Sequence, residues 1–217
     1  VVVGASPAKQ RIWHLPVSLL RQHSKFLRSA CDDPDQTEVL LTDIEPSAFQ
    51  NFLDYAHSNI YSLNKGASGY HTILHNAQAW ILGHKLQSPL FRDAALRTLY
   101  AALEPLARFS ASCARLSAVR AVDIQYVCEN TSPDSAVRRL LFDAVAAHWR
   151  QVEVLNIGDA MDLDPPFSSS PSLSTATTTT WLDIYNNHAD FRVRLANSLK
   201  VADVLRGDML RPVEDYL

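Results

Sequence analysis

His71 and His75 stand four residues apart, a spacing that puts two imidazoles on one face of a helix and can ligate a metal. The metalloprotease version of that pair needs a Glu directly after the first His, and Thr72 stands there instead. His84 falls roughly on the same side, nine residues on. Solvated or hydrogen-bonded histidines are the favoured reading, and no metal is expected. The three cysteines, Cys31, Cys113 and Cys128, are widely spaced with no Cys-x-x-Cys pair, so neither a zinc knuckle nor a redox motif is offered. Cys31 stands beside Asp32 and Asp33, whose charges oppose thiolate formation. A Gly-x-Ser-x-Gly nucleophile elbow is missing. Two loops could suggest phosphate binding. Gly4–Lys9 has a Pro where backbone N–H groups are needed, and Gly66–Gly69 has no following Lys. Arg108, Arg115, Arg120, Arg138 and Arg139 lack interleaved aromatics, so a solvated helix face or local ion pairs is expected. Together these residues predict a protein that is not an enzyme and carries no cofactor.

The bulk properties agree. The 217 residues are 47% hydrophobic and 20% charged, the balance of a globular chain with a sizeable core. A formal net charge of -3 argues against a nucleic-acid surface or an acidic membrane as partner. Unpaired cysteines fit an intracellular setting, nucleus or cytoplasm. No apolar run approaches the ~20 residues that cross a bilayer. The sequence opens on Val1 rather than Met, which reads as a trimmed segment.

The elements follow from periodicity and punctuation. Val1–Val3 and Gln10–His14 read as strands of a hairpin. A helix is expected over Leu15–Cys31, with Leu19, Leu20, Phe26, Leu27 and Ala30 on one face. Thr37–Thr42 reads as a strand with Val39 and Leu41 on one side and Leu40 on the other. Glu45-Pro46 starts a helix whose inner face is Ala48, Phe49, Phe52, Leu53 and Ala56. A helix around Trp80–Leu86 follows. Ser88-Pro89, Glu104-Pro105 and Ser132-Pro133 repeat the polar-then-Pro start signal. Ala121–Glu129 reads as a short helix ending at Asn130. Asp134–Arg150 reads as a strong one, with Val137, Leu140, Leu141, Ala144, Val145 and Trp149 inward and Arg138, Arg139 and Asp143 largely elsewhere. Residues 162–180, rich in Ser, Thr and Pro, read as a low-complexity loop. Trp181–Leu199 reads as a final helix.

The order of these motifs resembles a BTB/POZ domain. Leu19-Leu20-Arg21-Gln22-His23-Ser24-Lys25-Phe26-Leu27 is similar to the family's Leu-Leu-x-x-x-Ser-x-x-Phe signature. Val39–Ile44 with Phe49, Phe52 and Leu53 resembles its strand and following helix. Ala79–Leu86 with Pro89-Leu90 resembles its next helix pair. Ile124–Thr131 with Arg138-Arg139-Leu140-Leu141 resembles the C-terminal region of BTB proteins from filamentous fungi. Pro16 stands where the family has a His, and His57-Ser58-Asn59-Ile60-Tyr61 replaces its Tyr-Thr-Gly turn.

The resemblance implies an α+β BTB/POZ fold over 1–103, a small sheet covered by helices. A helical extension follows over 104–217, and the chain is mostly helical overall. It implies a non-enzymatic protein–protein interaction module, a scaffold or adaptor, with a second copy of the chain among its candidate partners. The alternatives are a substrate adaptor of a cullin-type ubiquitin ligase and a structural subunit of a larger assembly. Cys31–Gln36 lacks the apolar-x-Glu motif of cullin adaptors, which counts against a cullin partner. The expected partner surface comprises Trp13, His14, Leu15, Asp32, Asp33 and Tyr61.

Overall fold

A computed structural model describes residues 1–6, 10–33, 38–63, 70–108, 119–148 and 179–217. The readings for Cys113, Arg115, Trp149, the Gly66–Gly69 turn and nearly all of the 162–180 segment lie outside these residues. The chain divides into two compact units, Val1–Leu99 and Tyr100–Leu217, mostly helical with one small mixed sheet.

The first unit opens with the expected hairpin. β1 (Val2–Val3) pairs antiparallel with β2 (Arg11–Ile12) and parallel with β3 (Leu40–Leu41), giving the order β2-β1-β3. Val3 and Leu41, neighbours in register, face the core. The Leu15–Cys31 segment is not one helix but two, α1 (Val17–His23) and α2 (Lys25–Asp32). Ser24 between them is extended, at φ -145° and ψ 125°. Its hydroxyl accepts the Leu27 N–H at 3.0 Å, capping α2, and donates to the Leu86 carbonyl at 2.5 Å. A bond to a residue 62 positions away thus replaces a helical turn at this point.

α3 (Pro46–Ser58) starts at the Pro and buries the predicted face of Ala48, Phe49, Phe52, Leu53 and Ala56. It ends on Asn59 in the left-handed region, φ 55°, whose N–H donates to Tyr55 O at 2.7 Å. Asn tolerates that conformation better than other side-chain-bearing residues, so it closes the helix where a Gly would be usual. α4 (Thr72–Lys85) and α5 (Pro89–Arg108) complete the unit, and α5 runs on into the second unit. Glu104-Pro105 is therefore not a helix start, because Pro105 lies inside α5. It stands in the last turns of α5, where its missing N–H costs the one bond to the Ala101 carbonyl.

Gly83 in α4 is a packing requirement. A Cβ there would sit 2.9 Å from the N, Cα and Cβ of Arg92 on α5. Gly83→Ala gains ~1 kcal/mol of helix propensity but forces two backbones apart at a cost of ~1–3 kcal/mol. A net loss of stability is expected in urea melts, and a neutral or stabilised variant would contradict this packing.

The second unit contains α6 (Ala121–Asn130), α7 (Ala136–His148), α8 (Trp181–Asn187) and α9 (Ala189–Ser198). Two 3₁₀ segments follow, Asp203–Met209 and Val213–Tyr216. Buried Asp123 starts α6 by reaching back to the Arg120 N–H at 3.1 Å and to its guanidinium at 2.7 Å. The Trp181–Leu199 segment is again two helices, broken at His188, which is extended at φ -120° and ψ 101°. Thr180 and Asp183 form a reciprocal capping box at the start of α8. α7 departs most from expectation. Its apolar face is buried as predicted, but so are Arg138 and Asp143, at 5% and 1% exposure.

Candidate functional site

Sheet register sorts the first unit's surface into two faces. Residues paired across neighbouring strands point to the same side, and successive residues alternate. Val3, Arg11 and Leu41 share one register row, and Trp13, two residues beyond Arg11, shares its side. That side is the core side. The Trp13 ring meets Phe49 edge-on at 5.1 Å, its indole N–H donates to Gln50 Oε1 at 3.4 Å, and the Arg11 guanidinium lies 5.0 Å over it.

Ile12, Val2 and Leu40 form the other row, one residue from each strand. Ile12 is 63% exposed and Leu40 61%, with half-buried Val2 between them. His14, two residues beyond Ile12, lies on the same side and is exposed. This apolar row crosses all three strands of the sheet. Val17, at the start of α1, adds another exposed apolar side chain nearby in the chain.

The expected interface residues fall in three places. Trp13, His14 and Leu15 line a cleft of about 280 Å³ together with Val1, Val17 and Cys31. Asp32 is exposed at the end of α2 and ion-pairs with Arg21 of α1. Asp33 is the exposed residue that follows it. Tyr61 is set apart from these. It is half-buried on Phe91, ring centroids 5.6 Å apart, and its hydroxyl donates to Asn76 Oδ1 at 2.8 Å. Burial pushes its phenol pKa up, so it acts as a neutral hydrogen-bond donor. Ile12 and Leu40 were not among the expected residues. The Val39–Leu41 alternation already signals an outward Leu40, but the pairing that sets Ile12 beside it depends on strand register.

The histidines that could hold a metal are engaged otherwise. His71 caps α4, its Nδ1 accepting the Leu74 N–H at 3.4 Å, and His75 Nδ1 accepts the His71 N–H at 3.1 Å. His84 stacks on Trp80, 5.4 Å between centroids. Among the described residues no group of three or more His, Cys, Asp or Glu is arranged to hold a metal ion. No described helix is long and apolar enough to cross a membrane. Burial pushes the Cys128 thiol up to about 11, aided by Asp190 and Glu129 and opposed by Arg138. A thiol so raised stays protonated and unreactive near neutral pH.

Two histidines make stability pH-dependent. The pKa of His23 is lowered from 6.5 by burial and by the neighbouring His57. That of His188 is lowered from 6.5 by burial and by the Arg138 charge, and its Nε2 lies 3.2 Å from Gln125 Oε1. Both groups bind a proton more readily when unfolded. Their contribution is therefore complete above 6.5 and is lost as pH falls through that value toward the lowered folded values. Asp43, lowered from 3.8 chiefly by its hydrogen bond from Lys85, adds a second loss on further acidification. Urea midpoints are expected to fall between pH 7.5 and pH 5.5, and His188→Gln to flatten that fall. A midpoint that rises on acidification would contradict the assignment.

No protein-family model matches this chain, and no curated protein or solved structure matches it.

Proposed function

We propose that the Val1–Leu99 unit is a BTB/POZ-type protein–protein interaction module, non-enzymatic, acting as scaffold or adaptor through the outer face of its sheet. The observation that carries the proposal is the exposed row Ile12–Val2–Leu40. Large aliphatic side chains in adjacent register on a sheet face leave apolar area in water that a partner would bury. Exposed His14, two residues beyond Ile12 on the same side, adds a polar group suited to setting partner choice at a rim. The element order β1-β2-α1-α2-β3-α3-α4-α5 supports the family assignment, with the Leu19–Leu27 signature falling on the α1–α2 pair. The Tyr100–Leu217 unit is then the helical extension that accompanies the fungal type.

The test is affinity purification of tagged wild-type protein beside an Ile12→Lys/Leu40→Lys variant. Both positions are exposed, so the fold should be retained within ~0.5 kcal/mol. The proposal expects partners recovered with wild type to be lost with the variant. An unchanged partner set from a folded variant would overturn it. Light scattering on the same pair of proteins reads whether a second copy of the 24.2 kDa chain is one of those partners.

A further inference from the structure

In the Tyr100–Leu217 unit, α7, α9 and the chain's last turns enclose a cleft of about 140 Å³. Its lining includes Arg139, Arg194, Arg211, Asp143, Asp190 and Phe142. A cavity of roughly this size, ~150 Å³, accommodates a molecule as large as benzene. The charges around it do not cancel. Buried Asp143 alone serves Arg194 and Arg211 and also accepts the Tyr216 hydroxyl at 2.6 Å. Asp190 is taken by Arg138 at 2.9 Å. Among the described residues no ion pair engages Arg139. Arg139, Arg194 and Arg211 line the cleft with Asp143 and Asp190, and Arg138, outside the lining, neutralises Asp190; three guanidiniums are thus left to Asp143, a surplus of two positive charges.

The hydrogen-bonding capacity is incomplete in the same way. Among the described residues Arg194 reaches Asp143 through Nε alone, leaving its two terminal nitrogens available. Arg138, 5% exposed and stacked 5.3 Å over Phe142, has a buried Nε with no acceptor among the described residues. Arg138 does not line the cleft; it is held by Asp190 and the Phe142 face and so fixes two of the lining side chains.

We propose that this cleft is an oxyanion site for a phosphate monoester, held by Arg139, Arg194 and Arg211 with Asp143 fixing two of the three guanidiniums. A dianion matches the surplus of two charges, and its oxygens can each accept a charge-assisted N–H from a guanidinium edge. Asp143, itself in the cleft lining, anchors Arg194 and Arg211. The site belongs to the second unit and stands independently of the interaction surface proposed for the first. The ligand is either a free phosphate compound or a phosphorylated Ser or Thr of a peptide.

The test follows the arginine Nε–Hε signals of the full 217-residue chain by NMR while sodium phosphate replaces sodium chloride at constant ionic strength. Saturable shifts at Arg194 and Arg211 are expected, and Arg139→Glu, at an exposed position, should weaken binding about tenfold or more. Arg139→Gln should give an intermediate loss. A capped Ala-phosphoserine-Ala peptide is the second probe. Tighter binding than inorganic phosphate identifies a phosphoprotein source, and weaker binding a free phosphate compound. Shifts that never saturate, or that Arg139→Glu leaves unchanged, would overturn the site. Acetate binding as tightly as phosphate would overturn its dianion chemistry.

Discussion

Phe91→Ala is expected to destabilise the Val1–Leu99 unit by about 4 kcal/mol, within the ~3–5 kcal/mol typical of emptying a buried Phe site. Phe91 opens α5 and is fully buried. Its ring meets Phe52 edge-on at 5.3 Å, Tyr55 at 5.3 Å and Tyr61 at 5.6 Å. Three elements therefore lose ring contacts at once, α3, the segment after it, and α5. The surroundings cannot collapse easily. Tyr61 is tethered to Asn76 of α4, and Gly83 already brings α4 against α5 without spare room. Hydrogen exchange read by mass spectrometry distinguishes the two units and is the measurement of choice. Protection should fall in α3 and α4, and a loss below about 1 kcal/mol would contradict the cluster's role.

Asp143→Ala should cost about 3 kcal/mol in the second unit. Removing one partner from a buried ionic network leaves the others uncompensated, at ~3–5 kcal/mol. Asp143 is 1% exposed and accepts from Arg194, Arg211 and Tyr216. The Arg194 and Arg211 side chains are 35% and 39% exposed, so they can partly rehydrate, which places the effect near the lower end. The Tyr216 hydroxyl, 1% exposed as a residue, has no such recourse. Burial and the Asp143 hydrogen bond and charge all push its phenol pKa up, so the bond runs from a neutral phenol to a carboxylate. Asp143→Asn keeps an oxygen for that donor and should cost less than Ala. The 3₁₀ segment Val213–Tyr216 should lose protection first. Equal stability of wild type and Asp143→Ala would contradict the network.

What the sequence disclosed, and what it withheld, divides by distance along the chain. Local periodicity placed α3, its Pro46 start and its buried face, because those signals lie within one helix. It also placed α6. It ran α1 and α2 together because Leu19, Leu20, Phe26 and Leu27 keep helical spacing through Ser24. The break is imposed by the Ser24–Leu86 bond, which no local window contains. The same limit applied to α7. Val137, Leu140 and Leu141 declared the inner face, but Arg138 and Asp143 find their partners 51 to 73 residues away, at Asp190, Arg194, Arg211 and Tyr216. Two arginines and an aspartate on a helix otherwise so apolar were the available hint.

The exposed face of the sheet was legible in part for a related reason. His14 was anticipated and lies on the exposed side of the sheet, while Trp13, its neighbour, alternates to the core. Strand alternation makes that distinction only once the register is known. Leu40 could be assigned outward from its strand alone, whereas its alignment with Ile12 needed β1 between them.

The most direct measurement is site-specific photo-crosslinking from position 40, with the probe residue replacing Leu40 on the exposed row. A second protein carrying the probe at Val204, which is 90% exposed in the other unit, serves as control. A discrete adduct, with a second copy or another protein, is expected from position 40 and none from position 204. Failure to form an adduct at position 40, or the same adducts from both positions, would contradict the proposal.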